Sequence, residues 1–75
     1  MYLLPIYTIW SRLKEESDDD AVLLEDEKIY KTRINAFKRA KELIKMNYYS
    51  GYVILVRRIR INSRMCKQWE FESEK

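Results

Sequence analysis

Residue types that perform catalysis or bind metals are scarce in this chain of 75 residues. It has no histidine and a single cysteine, Cys66, so the usual general base near neutral pH is missing and the thiol has no histidine to activate it. An intrachain disulfide and a structural zinc site are excluded on the same grounds. The only glycine, Gly51, and the five serines form neither a phosphate loop nor a nucleophile elbow. We therefore expect a protein that is not an enzyme and that uses no metal or cofactor.

The densest run of charge is acidic and covers residues 14–20, KEESDDD. Carboxylate oxygens suit Mg²⁺ or Ca²⁺, but no glycine or bidentate glutamate follows at the spacing of a calcium loop. Aspartate and serine favour turns, and like charges in a row oppose regular structure. The run therefore predicts a solvated acidic loop, which could also pair with arginines of the same chain.

Lysine and arginine are concentrated in the middle of the chain. Residues 1–30 hold three basic against eight acidic residues, whereas residues 31–67 hold eleven basic residues against one acidic residue. Basic residues interleaved with tyrosines can bind phosphates and stack on bases. The candidate nucleic-acid contacts are Lys38, Arg39, Lys41, Lys45, Arg57, Arg58, Arg60 and Arg64. In a strand, Arg57 would point away from Arg58 and Arg60, so these arginines do not form one row.

The hydrophobic pattern predicts strands over residues 1–13, 21–24, 52–61 and 65–71, and a helix over residues 26–47. The apolar stripe of the helix would consist of Ile29, Tyr30, Ile34, Ala36, Phe37, Ala40, Leu43 and Ile44. Asp26 suits the N-cap. Arg33 projects into the middle of this stripe, which indicates either a later helix start or a carboxylate partner.

This order of elements predicts an α+β fold, β-β-α-β-β, in which one amphipathic helix packs on one face of a small mixed sheet. The short run 21–24 is the weakest element, so the first strand pair is uncertain. A right-handed helical crossover would join the two long strands, in the spatial order 2-1-3-4. Residues 1–75 would form one domain, with a tail at 72–75 that frays.

The second face of this sheet is the main clue to function, because both long strands are apolar on both faces and one helix covers only one of them. Either the chain's own loops and C-terminal strand fold over the second face, or a partner covers it, and a chain this small gains stability from a partner. We expect a homodimer, with an interface formed by Tyr7, Ile9, Tyr52, Ile54, Val56 and Arg58. The predicted function is a non-enzymatic binding or regulatory protein that acts on other proteins; the alternative is a nucleic-acid-binding module.

The predicted location is the cytoplasm. One unpaired cysteine is typical of a reducing compartment, and the apolar N-terminus lacks the basic start of a signal peptide. It is also shorter than the ~20 residues that span a bilayer, so we expect no membrane association. The short, charged and nearly glycine-free composition is typical of accessory proteins of phages and mobile elements.

Overall fold

The computed structural model describes residues 5–24, 29–59 and 65–72, with the backbone alone at 65 and 66. The strands are β1 (Ile6–Leu13), β2 (Val22–Leu23), β3 (Tyr52–Ile59) and β4 (Met65–Glu72), and the helix is α1 (Arg33–Ile44). Two short 3-10 turns occupy Asp18–Asp20 and Asn47–Tyr49. The predicted α+β class, with one helix packed on a four-stranded sheet, is confirmed. No helix of the described ranges is long and apolar enough to cross a membrane.

The four strands lie in the order β2-β1-β3-β4, as predicted, but their directions differ from the mixed sheet that we expected. Every neighbouring pair is antiparallel, including β1 with β3. The reason is that the chain first returns along β1: Leu24 N–H donates to the Ile9 carbonyl at 3.0 Å, and Tyr7 and Tyr30 exchange backbone hydrogen bonds of 2.8 and 2.9 Å. The helical crossover therefore joins β2 to β3 and passes β1.

Helix α1 begins seven residues later than the predicted start at Asp26. Thr32 is the N-cap, and its side chain accepts a hydrogen bond from Asn35 N–H at 3.3 Å. Tyr30 cannot belong to the helix because its backbone is paired with β1. The later start explains Arg33, which is the first helical residue and lies beside Phe37 of the next turn.

The main core lies between α1 and the sheet. Ala36 and Ala40 are fully buried, and their small side chains let the helix lie close to Ile54 and Val56 of β3. Phe37 of α1 meets two rings of β4 edge-on, those of Trp69 and Phe71, each with centroids 5.1 Å apart. Ile34, which the predicted apolar stripe included, is 75% exposed. The predicted stripe also counted Ile29 and Tyr30, which precede the helix, and this displaced its centre toward Ile34.

The turn into β3 contains the one glycine of the chain. Gly51 has a φ of 84°, in the left-handed region that residues with a side chain rarely adopt. Gly51 thus lies where the chain leaves the second 3-10 turn and enters β3.

Candidate functional site

The six residues predicted to form an open interface lie on the helix face of the sheet, the face that α1 covers. They are Tyr7, Ile9, Tyr52, Ile54, Val56 and Arg58. Ile9, Ile54 and Val56 are buried in one cluster with Ala36 and Ala40. Their assignment to an uncovered face is therefore wrong. Strand alternation grouped these residues correctly, but both faces of the long strands are apolar, so the pattern did not show which face the helix takes.

The opposite face, here called the loop face, is covered by the chain itself. Val53 and Leu55 project from it and are 1% and 0% exposed, as little as the residues under the helix. The acidic loop, residues 14–20, lies on this face, because Asp18 of its 3-10 turn hydrogen-bonds to Arg12 of β1, Arg57 of β3 and Gln68 of β4. Of the two alternatives, this structure favours the one in which the chain's own loop lies on the second face.

Asp18 connects the acidic loop to three strands of the sheet. Its carboxylate accepts hydrogen bonds from Arg12 Nε at 2.7 Å and from Gln68 Nε2 at 2.8 Å, so it joins β1 to β4. Its backbone carbonyl accepts from Arg57 Nη2 at 2.8 Å, and Arg57 Nε donates to Gln68 Oε1 at 2.8 Å. The expected pairing of the acidic loop with arginines of the same chain is thus present.

These contacts shift the protonation of Asp18. They hold the pKa of its carboxyl below the ordinary value of 3.8, first through the hydrogen bond from Gln68 and then through that from Arg12. Partial desolvation acts in the opposite direction, and the charges of Arg12 and Arg57 add to the lowering. The side chain remains 42% exposed, so solvent screens part of this attraction.

Arg12 fixes the path of the loop where it leaves β1. Its Nη1 donates to the carbonyls of Leu13 at 3.0 Å, Lys14 at 3.2 Å and Glu16 at 2.9 Å. Leu13 N–H in turn donates to the Glu16 carboxylate at 2.8 Å. The Arg12 side chain is only 11% exposed, and its Nη2 lies 3.7 Å from Glu70 Oε1. One guanidinium therefore satisfies several loop carbonyls and two carboxylates.

Arg57 also stacks on an aromatic ring of the loop face. Its guanidinium carbon lies 4.5 Å from the centroid of Trp10, within the range of a cation–π contact. Trp10 Nε1 donates to Thr8 Oγ1 at 2.9 Å. All partners in this polar network belong to one chain, and the network holds the acidic loop on the sheet.

The candidate nucleic-acid contacts do not converge. Lys38, Lys41 and Lys45 are exposed on the outer side of α1, where Arg39 lies 3.2 Å from the Glu42 carboxylate. Arg57 lies on the loop face, across the sheet from the helix, and Arg58 lies on the helix face. Arg60 and Arg64 fall outside the described residues.

A surface that the sequence did not point to lies along the free side of β2. Val22 is 64% exposed, Leu23 is 39% exposed, and Ile29, just before the Tyr30 pairing, is 62% exposed. These three are half of the six large apolar side chains that are exposed in the described chain. Val22 projects to the helix face and Leu23 to the loop face, and we call the strand edge that carries Val22, Leu23 and Ile29 the β2 edge. In the sequence, the β2 edge was indicated by the apolar run AVLL alone, residues 21–24, which follows the acidic loop.

No chemistry-bearing cluster emerges elsewhere. Across ranges 5–24, 29–59 and 65–72, no group of three or more cysteine, aspartate or glutamate side chains is placed to hold a metal ion. The side chain of Cys66 is outside the described part.

Comparisons with known proteins place the chain in no family. No protein-family model, no curated protein and no solved structure matches it.

Proposed function

We propose that this chain is a small non-enzymatic binding protein that associates with other proteins through its β2 edge, and that its first partner is a second copy of itself. The observation that carries the proposal is the β2 edge itself, where half of the exposed large apolar side chains collect on one strand edge. Apolar surface left on the edge of a small domain is typical of an interface.

The backbone of the β2 edge supports pairing with another strand. β2 is hydrogen-bonded to β1 along one side, and no described strand pairs along its other side. An extended segment can add to such an edge through main-chain hydrogen bonds, while exposed side chains supply the apolar contact. The edge also lacks the usual protection, because neither Val22 nor Leu23 is charged.

The two ends of the β2 edge carry opposite charges, while the sequence between Leu24 and Ile29 is mainly acidic. Exposed Asp19 and Asp20 precede the β2 edge in the chain, and exposed Lys31 follows it. In a two-fold dimer, antiparallel pairing of the two edges brings the acidic end of one copy to the basic end of the other. Two-fold dimers are the commonest homo-oligomers, and their contact surfaces must be self-complementary in this way.

The experiment is sedimentation equilibrium of the whole chain at about 0.01 to 1 mM, a range that detects dissociation constants typical of small interfaces. We expect twice the mass of one chain at the upper end. Val22→Lys and Ile29→Lys should return the monomer, whereas Met46→Lys, at an exposed apolar side chain remote from the β2 edge in the chain, should leave the dimer intact.

A charge-swap series tests the orientation. Asp19→Lys and Lys31→Glu should each weaken the dimer, and the double variant should recover it, because both swaps together restore opposite charges across the two-fold axis. A wild-type chain that remains monomeric at about 1 mM in low salt would overturn the proposal, since even weak specific dimers form at that concentration.

Nucleic-acid binding is retained as the second proposal, limited to the helix. Lys38, Lys41 and Lys45 are spaced three and four residues apart on the outer side of α1, and Tyr48, 79% exposed, follows the helix. Lysine neutralises phosphates and a free tyrosine can stack on a base. Retention of the chain on mixed DNA at low salt, lost steeply as salt rises, is the expected result; no retention at low salt excludes this function.

A further inference from the structure

Two cations face each other directly in neighbouring strands. Arg58 of β3 and Lys67 of β4 are Cα partners in the antiparallel register, so their side chains project from the same face of the sheet. Like charges placed directly opposite each other destabilise a strand pair. Strand alternation puts both on the helix face, in the same row as Tyr7 of β1.

A third cation, Arg33, lies at the same end of the helix face. Its guanidinium carbon is 5.8 Å from the ring centroid of Phe37, and Lys67 Nζ is 5.3 Å from that of Trp69. The two rings are 5.1 Å apart, so Arg33 and Lys67 flank one aromatic group. We call Arg33, Arg58 and Lys67 the cation cluster.

The described chain provides no anion for this cluster. None of the ion pairs between described residues includes Arg33, Arg58 or Lys67. Nε of Arg58 is buried and has no hydrogen-bond partner within the described part of the protein. A buried donor without an acceptor costs free energy, and the cost is greater when the donor belongs to a charged group. The first turn of α1, which begins at Arg33, contains no acidic residue to offset the positive end of the helix.

We propose that the cation cluster binds the phosphate group of a ligand. Guanidinium groups match phosphate oxygens with paired N–H donors, and a lysine adds a point charge. Phosphate oxygens would accept from the guanidinium group of Arg58, and their charge would offset the repulsion between Arg58 and Lys67. The ligand supplies the acceptor and the negative charge that the described chain lacks at this point.

The test uses the two tryptophans, which lie on opposite faces of the sheet. Trp69 contacts the cation cluster, whereas Trp10 lies on the loop face under Arg57. In ¹H–¹⁵N spectra of the whole chain at constant ionic strength, inorganic phosphate should shift the Trp69 indole signal saturably, with a dissociation constant of about 1 mM for so small a ligand. The Trp10 indole signal should stay in place.

Matched variants test whether the Trp69 shift comes from phosphate bound at the cation cluster. Arg58→Gln and Lys67→Gln should each weaken phosphate binding about tenfold, the loss expected when a charge-assisted hydrogen bond is removed. Lys14→Gln, which removes an exposed lysine of the acidic loop, should bind as the wild type does. Far-UV circular dichroism checks that each variant is folded.

Stability gives a second, independent measurement. Phosphate should raise the melting temperature of the wild type and leave that of Arg58→Gln unchanged. Without phosphate and at low salt, Arg58→Gln should melt no lower than the wild type, because it removes the repulsion with Lys67. An unsaturable Trp69 shift, an equal shift of Trp10, or an equal loss of binding in Lys14→Gln would each overturn the proposal.

A short single-stranded oligonucleotide distinguishes two sources of the phosphate. If the group belongs to a nucleic-acid backbone, the oligonucleotide should bind more tightly than inorganic phosphate and lose affinity as salt rises. If it belongs to a small phosphorylated molecule, the oligonucleotide should bind no better per phosphate. Both outcomes support the site, and both differ from the failure described above.

Discussion

Arg57 lies across the ring of Trp10, with 4.5 Å between the guanidinium carbon and the ring centroid. The same guanidinium donates to the Asp18 carbonyl and to the Gln68 side chain. An arginine at the polar end of an apolar strand thus serves the chain itself, because it binds the acidic loop to the sheet. Through these hydrogen bonds, Arg57 keeps the acidic loop on the second face of the sheet.

The cover on the loop face predicts that both faces of β3 contribute equally to stability. Ile54, on the helix face, and Leu55, on the loop face, are both 0% exposed. Ile54→Ala and Leu55→Ala should each lower the free energy of unfolding by about 2–5 kcal/mol, because each leaves a cavity in a packed site. Urea unfolding measures both. A loss at Leu55 of well under 1 kcal/mol would show that the loop does not cover this face in solution.

The stacked arginine should not be replaceable by lysine. Arg57→Lys keeps the charge but cannot bond Asp18 and Gln68 at once or lie flat on Trp10, so we expect a loss of about 1–2 kcal/mol. Urea unfolding, followed by the fluorescence of Trp10 and Trp69, gives the number. Lys38→Arg, an equally conservative change at an exposed helix position, should be neutral; equal effects of the two would contradict the assigned role of Arg57.

The succession of strands and helix along the chain could be predicted from the sequence because each long strand has its own period and bounds. β3 and β4 begin at the predicted residues, Tyr52 and Met65. The pairing of the acidic loop with arginines could also be anticipated from charge alone. None of these inferences required knowledge of how distant segments meet.

The covered face and the helix start could not be predicted, because both depend on contacts between distant segments. Ile54 and Leu55 are equally apolar, so only packing decides which of them meets α1. Tyr30 fits a helical stripe as well as it fits a strand, and its backbone pairing with Tyr7 excludes it from the helix. The proposed phosphate site likewise depends on the register of β3 and β4, because only this pairing places Arg58 opposite Lys67.

The N-cap of α1 gives a local test of the later helix start. Thr32→Ala removes the side-chain oxygen that accepts from Asn35 N–H, and should cost about 1 kcal/mol. Thr32→Ser keeps this oxygen and should retain most of the stability. Chemical unfolding of the three proteins provides the comparison, and an alanine variant as stable as the wild type would place the start of the helix elsewhere.

Acid should weaken the loop through Asp18. Because the pKa of its carboxyl is below 3.8 in the folded chain, the folded state binds this proton less readily than the unfolded state. The stabilisation from ionised Asp18 is therefore fully present above the ordinary pKa and is lost as the pH falls through the lowered value. Asp18→Asn should unfold at lower urea than the wild type near about pH 7, and the difference should shrink toward about pH 3 and below. Glu15→Gln, at an exposed carboxylate of the same acidic loop, is the matched control. A difference between wild type and Asp18→Asn that stays constant across this range would mean that the carboxylate charge does not hold the loop.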